Sequence, residues 1–337
     1  MKAALMQGGR LWIDDVPEPR PGAGEVLVAT KACGICGSDL HAVQHTAAFI
    51  QTSREVGGGF KLTTDAPVVL GHEFCAEIVA FGPDTKKTLR EGDLVCSMPV
   101  LLRPEMVGLG YSDIAPGGFA EYMVLTEALV QAVPNGLPAE TAALTEPMAV
   151  GLHAVNKANL STEDQVLVVG CGPVGLAIIA VLSMRGYSVV ASDFSPGRRA
   201  LAEQLGASLT LDPAVVEPLE TQPWPQDGHM VIFECVGVKG MLDQLFAKAP
   251  RNTRIVVVGV CLETDASRPL IAINKELSLQ FVLGYTPQEF SETLLLLGEG
   301  ELNVSNLVTD KVPLAQVSDA FQRLADPCTD GKIIVIP

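Results

Sequence analysis

Gln165-Val166-Leu167-Val168-Val169-Gly170-Cys171-Gly172-Pro173-Val174-Gly175 decides the architecture of this chain. The run from Gln165 to Val169 is short and rich in β-branched residues, the composition of a strand buried on both faces of a parallel sheet. It ends in G-x-G-x-x-G, and the apolar stretch Leu176–Met184 that follows reads as a helix. The glycine spacing alone is a weak signal; between a strand and a helix it is a dinucleotide-binding fingerprint. Gly170, Gly172 and Gly175 permit a tight turn, and with Pro173 and Val174 they open the helix whose N-terminal N–H groups meet a pyrophosphate. A second strand, 188–192, ends at Asp193, roughly 20 residues past the first glycine, where an acid accepts hydrogen bonds from ribose hydroxyls. Such an acid repels a 2′-phosphate and so favours NAD over NADP, although Arg198 and Arg199 lie close enough downstream to soften that preference. Arg198 is itself a candidate cofactor contact. The runs Met230–Cys235 and Arg254–Gly259 read as further buried parallel strands, the second carrying Val258, another candidate contact, near its end. Together these elements predict an α/β fold with a doubly wound parallel sheet, a Rossmann domain over residues 151–285.

At 337 residues the chain exceeds the size at which one core stops growing, so a second domain is expected. Hydrophobic residues make up 48% and charged residues 18%, the balance of an ordered globular protein. A formal net charge of −16 is the opposite of the Lys/Arg surplus that a nucleic-acid backbone or an anionic lipid surface requires. Neither partner is expected. The start MKAALMQGGRLWIDD lacks the apolar core of a secretory signal, and the most apolar runs are too short to span a bilayer. The eight cysteines, at 33, 36, 75, 96, 171, 235, 261 and 328, therefore read as reduced thiols, which implies cytoplasm.

Ahead of the nucleotide unit, Lys31-Ala-Cys-Gly-Ile-Cys-Gly-Ser-Asp-Leu-His41 concentrates thiols, a hydroxyl, a carboxylate and an imidazole. Leu70-Gly71-His72-Glu73 adds a second imidazole and carboxylate. Thiolate, imidazole and carboxylate donors suit Zn²⁺. Each motif alone has a plainer reading, since a free cysteine is often a small buried hydrophobe. Their company with a nicotinamide-binding fingerprint favours a metal centre.

On these motifs the chain resembles the zinc-dependent medium-chain alcohol dehydrogenases, particularly their polyol (sorbitol) dehydrogenase branch. The likeness runs from Met1-Lys2-Ala3 and Pro17-Glu18-Pro19, through Gly117-Gly118-Phe119-Ala120-Glu121-Tyr122, to Gly331-Lys332-Ile333-Ile334-Val335. It implies that residues 1–150 and 286–337 form a GroES-like antiparallel β-barrel catalytic domain, with the active site in the cleft beside the Rossmann domain. It implies Cys36 and His72 as zinc ligands, and Cys33 as none. Glu73 and Glu146, the latter in Thr145-Glu146-Pro147, are both candidates for the carboxylate ligand, and the family admits either. Ser38 and His41 fall where relatives export the substrate proton, a need set by chemistry because an alcohol must lose a proton before a hydride. Asp39 would orient a ligand imidazole, its plainer role being a helix cap. The implied reaction moves hydride between NAD(H) and a secondary alcohol or polyol, or its ketone, in a homodimer or homotetramer. The rivals are a zinc-free quinone or enoyl reductase of the same fold and a nucleotide-binding protein without turnover.

Two further expectations concern loops. Residues 42–66, with Gly57-Gly58-Gly59, read as a long polar connection near the active-site mouth, with His45 solvated. Many relatives carry a second, structural zinc on four cysteines, but Cys96–Gly117 here holds one cysteine and no histidine. One zinc per chain is therefore expected, with this shortened lobe held by apolar packing of Val100, Leu101, Leu102, Met106 and Val107.

Overall fold

In the first part of the chain, strand Glu25–Gly34 pairs antiparallel with Glu73–Phe81, Tyr122–Thr126 and Lys332–Ile336, and the rest of the sheet grows from these. The structure, a computed structural model, describes residues 1–57, 60–221, 223–325 and 330–337, so Gly58, Gly59 and Cys328 lie outside the described residues. These form two units: Met1–Glu146 with Phe290–Gly300 and Val308–Pro337, and Pro147–Glu289 with Glu301–Leu307.

In the first unit the sheet extends through Leu94–Ser97 to Val130–Ala132 on one side and to Val308–Pro313 on the other, this last pairing being parallel. A smaller sheet joins Arg10–Asp15, Lys2–Gln7 and Val68–Val69, which leads straight into His72. Register is what matters for the site. Gly34 stands opposite Glu73 on one neighbour and Ile334 on the other. A Cβ at position 34 would lie 2.2 Å from Glu73 Oε2, so only glycine allows that carboxylate beside the strand.

Two expectations for this unit are corrected. The 42–66 stretch is largely helical: Gly37–Gln44 runs into it, and a second helix covers Thr46–Val56, ending at Gly57 in the left-handed region. Its polar sequence hides a short apolar stripe. Phe49 and Ile50 are buried, and the Phe49 ring stacks on Tyr111 at 5.6 Å. In the shortened lobe, Val100–Leu102 and Met106–Gly108 form a hairpin. Leu101 and Val107 are buried as expected, but their neighbours Leu102 and Met106, a cross-strand pair on the other face, are exposed. An ion pair helps to hold the hairpin instead: Arg103 Nε donates to the buried Glu25 carboxylate at 2.8 Å.

The second unit carries a six-stranded, wholly parallel sheet. Its order is Leu209–Leu211, Val189–Ser192, Gln165–Val169, Met230–Glu234, Arg254–Val257, Ser278–Phe281. The chain therefore winds outward in both directions from Gln165–Val169, and the glycine turn leaves that strand's C-terminal end, where ligands of doubly wound sheets bind. Helix Pro173–Met184 is apolar on nearly every face and correspondingly buried. Among the described residues no helix is long and apolar enough to cross a membrane.

Within this unit Glu289 fastens the first turn of helix Pro287–Glu299 to helix Thr145–Lys157. Its carboxylate lies 2.7 Å from His153 Nδ1 and accepts from Asn156 Nδ2 at 2.7 Å and Thr286 N–H at 2.8 Å. Burial alone would raise its pKa; the hydrogen bonds, led by the Thr286 N–H, outweigh burial and hold it at about 2. A depressed carboxyl pKa adds stability that is complete above the ordinary value of 4.5 and is lost as pH falls through about 2. The contribution at neutral pH is on the order of 3 kcal/mol at most. Glu289→Gln should lower the urea midpoint at pH 7, and the gap from the parent should shrink by about half at pH 3. A gap independent of pH would contradict this account of Glu289.

Candidate metal centre

Cys36 sits at the N-cap of helix Gly37–Gln44, and its own N–H donates to Asp39 Oδ2 at 3.0 Å. This reciprocal cap turns the chain out of the strand, so Cys36 is half-buried while Cys33 stays fully buried inside it. Burial pushes the Cys33 thiol well above its usual pKa, the state of an inert packed thiol. Cys36, His72 and Glu73 each present one donor atom, and these atoms lie within 4.8 Å of one another. Among the described residues they form the one such cluster of metal-ligating side chains.

Asp39 makes two kinds of contact. One oxygen caps the helix, and the other lies 3.3 Å from His72 Nδ1. Burial would depress the His72 pKa, but Asp39 and then Cys36 outweigh it and raise it. An acid behind Nδ1 fixes the tautomer that leaves Nε2 as a donor. Sulfur, imidazole nitrogen and carboxylate oxygen together fit Zn²⁺.

Sequence reading misses two side chains here. Lys332 is fully buried, with Nζ 2.7 Å from each Glu73 oxygen and 3.1 Å from the Ile35 carbonyl. Burial would lower its pKa, but the charges of Glu73 and then Cys36 raise it. Its only signal is its place in Gly331–Val335, a stretch that carries the family likeness without marking a role for any one residue. Tyr111 is also buried, and its hydroxyl reaches Ser38 Oγ at 2.8 Å, Asp39 Oδ1 at 3.3 Å and His72 Nδ1 at 3.3 Å. Burial, then the Asp39 charge, keeps the phenol protonated. Tyr111 lies in the unpatterned lobe, where no spacing marks it.

The remaining candidates divide. Ser38 joins the centre, its hydroxyl 3.4 Å from His72 Nε2. His41 is half-buried, and burial, then His45, lowers its pKa. Its Nδ1 is buried without a protein partner, and no hydrogen bond links it to Ser38. Glu146 is half-buried in the first turn of Thr145–Lys157, and its charge bears on both Lys332 and Tyr111. It lies outside the three-donor cluster.

In the second unit the glycine turn is tight enough to exclude side chains: a Cβ on Gly175 would lie 1.9 Å from Gly170 O. Gly172 caps helix Pro173–Met184, with Pro173 and Val174 in its first turn. Asp193 accepts from Cys171 N–H and Ser195 N–H, both at 2.8 Å, and so pins the turn to the end of its own strand. Arg199 donates to the Asp193 and Phe194 carbonyls, whereas Arg198 Nε is buried with no partner. The Val258 N–H donates to Glu234 O at 2.9 Å just beyond its strand. Cys171 is a packed thiol, pushed by burial up to about 12.

Two family models match the chain: "Alcohol dehydrogenase GroES-like domain" over residues 22–135 and "Zinc-binding dehydrogenase" over residues 173–299. The chain is 32% identical to (R,R)-butanediol dehydrogenase of Bacillus subtilis over 352 aligned residues, covering 100% of both proteins. It is 29% identical to sorbitol dehydrogenase of the same organism, covering 96% of this chain and 93% of that one. The crystal structure of 2R,3R-butanediol dehydrogenase from Bacillus subtilis superposes with a TM-score of 0.84 at 30% identity, covering 100% of this chain and 99% of that one. The chain belongs to the zinc-dependent medium-chain alcohol dehydrogenase family, with a GroES-like and a Rossmann part. It is an oxidoreductase, and its relatives include polyol dehydrogenases.

The buried ion pair yields a direct test. Lys332→Met strands the Glu73 carboxylate without a counter-charge, at an expected cost of about 3–5 kcal/mol. Adding Glu73→Gln should restore more than half of that loss in thermal or urea unfolding. A single variant as stable as the parent would show that the pair does not hold the strands.

Proposed function

We propose that this chain is an NAD(H)-dependent dehydrogenase that holds one zinc at Cys36 and His72 and oxidises a secondary alcohol or polyol, or reduces its ketone. The observation that carries this reading is the Cys36, His72 and Glu73 cluster with the Ser38 hydroxyl against it. Glu73 and Glu146 are the two carboxylates for the remaining protein position. The zinc, when bound, supplies the Lewis acidity that makes an alcohol proton easy to lose. Ser38 is the first acceptor of that proton. His41, held neutral by burial and left with an unpartnered Nδ1, is the next, reached through a bridging hydroxyl or water. Asp39 keeps His72 in its ligating tautomer.

The first unit is the catalytic one and the second binds the nicotinamide cofactor. Gly170, Gly172, Pro173, Val174 and Gly175 would take the pyrophosphate, and Asp193 the ribose hydroxyls, with Arg198 and Val258 alongside. Asp193 favours NAD over NADP. The single cysteine of Cys96–Gly117 supports one zinc per chain. A cytoplasmic homodimer or homotetramer belongs to the same proposal, supported by the free thiols of the described cysteines and by the family.

The test couples zinc analysis to NAD and NADP reduction on (R,R)-2,3-butanediol, sorbitol and simple secondary alcohols. Close to one zinc per chain is expected, with kcat/KM at least about tenfold higher with NAD. Cys36→Ala should lose metal and turnover, and Cys33→Ala should keep both. Preference for NADP would sink the Asp193 argument. Turnover of a quinone or enone by metal-free protein would favour the zinc-free reductase.

A further inference from the structure

The geometry around Tyr111 points to a role that deepens the proposed reaction: we propose that Tyr111 is a positioning residue whose phenol orients the Ser38 hydroxyl and joins it to His72. The inference rests on the dehydrogenase reading and on four side chains of the first unit.

The hydroxyl of Tyr111 has polar contacts to three groups, and all three are side chains of the metal centre: Ser38, Asp39 and His72. Among the described residues it bonds to no backbone group, so it is not a fold-closing tether. A phenol has one hydrogen to donate. The shortest contact, 2.8 Å to Ser38 Oγ, is the best place for it, because Asp39 Oδ1 at 3.3 Å lies as near to His72 Nδ1 as to the phenol. A Nδ1–H on His72 can then donate to Asp39 and the phenol oxygen. The result is a chain from His72 Nδ1–H to the Tyr111 oxygen, and from the Tyr111 O–H to Ser38 Oγ.

This chain settles how Ser38 can work. A serine hydroxyl has one hydrogen and two lone pairs. Accepting from Tyr111 occupies one lone pair. The second is left to receive a proton, and the hydrogen is left to be passed on. Without Tyr111, Ser38 is free to turn about its Cα–Cβ bond, and correct orientation becomes one of several states. Two aromatic rings hold the phenol in place, Phe49 stacking on it at 5.6 Å and Phe60 meeting it edge-on at 4.6 Å. Both come from the region around helix Thr46–Val56, so that helix serves the centre through Tyr111.

The test uses the full-length, zinc-loaded chain with (R,R)-2,3-butanediol and NAD, in Tyr111→Phe, Ser38→Ala and the double variant. Phenylalanine keeps the ring packing and removes only the hydroxyl. Tyr111→Phe should lower kcat about tenfold and leave KM within about twofold, as expected for a lost proton-transfer geometry. In the Ser38→Ala background the same change should cost less than about twofold, because its route to the reaction is gone. Full additivity of the two losses, or an unchanged kcat in Tyr111→Phe, would overturn the proposal. A second readout needs no turnover. Zinc transfer to a chromogenic chelator should be at least about fivefold faster from Tyr111→Phe, since His72 loses an outer partner. An unchanged release rate would refute the link to His72. If the parent does not oxidise the butanediol, the substrate choice fails, and zinc release still judges Tyr111. If Tyr111→Phe does not fold, Phe60→Leu stands in: it removes the exposed ring that holds the phenol edge-on and should release zinc faster than the parent by a few-fold; equal rates would overturn the proposal.

Discussion

The ion pair between Lys332 and Glu73 is the constraint on which the metal centre depends. Both side chains are without solvent exposure, so each charge has given up its hydration. Such a pair is rarely a source of net stability, because attraction only offsets the cost of desolvation. What it does provide is position. Lys332 lies on the strand at one side of Glu25–Gly34 and Glu73 on the strand at the other. The ammonium reaches from one outer strand to the carboxylate on the other, for which only a glycine at position 34 leaves room, and also takes the Ile35 carbonyl. Cys36 follows at once, and His72 immediately precedes Glu73. Three strands are thereby locked at the point where the thiol and imidazole project.

A second layer of bonds lies around His72. Asp39 caps the helix that begins at Cys36 and backs the imidazole, so helix formation and donor orientation are one event. Tyr111 brings in the shortened lobe, and the aromatic contacts of Phe49 and Phe60 bring in the helix that the sequence hides. The lobe is thus tied to the sheet by Arg103 and Glu25 and to the metal centre by Tyr111. Any distortion there would be felt at Ser38 and His72.

The four central strands of the Rossmann part are legible, because a buried parallel strand writes itself as a short β-branched run and each run is a local signal, whereas the edge strands Leu209–Leu211 and Ser278–Phe281 escape the reading. Gln165–Val169 and the glycine turn need no distant partner to be read. Cys36, His72, Glu73 and Asp39 are legible as a cluster because two short motifs name them. Lys332 and Tyr111 are not, since their roles arise from strand register and from contacts across 259 and 73 residues of chain. Nothing local distinguishes them from an ordinary strand lysine or core tyrosine. The 42–66 stretch misleads for a related reason: within helix Thr46–Val56 only Phe49 and Ile50 are buried, a stripe too short for periodicity to reveal. A stretch that makes its apolar contacts with a distant lobe reads as a polar loop.

On the proposed reading, one zinc is bound by one sulfur, one imidazole and oxygen donors. X-ray absorption fine structure at the zinc edge of the native protein counts those donors by element. A single sulfur per zinc at about 2.3 Å is expected, with the remaining neighbours nitrogen or oxygen at about 2.0–2.2 Å. An average of two or more sulfurs per zinc would mean a thiolate-rich site elsewhere or a second cysteine at this one, and would contradict it.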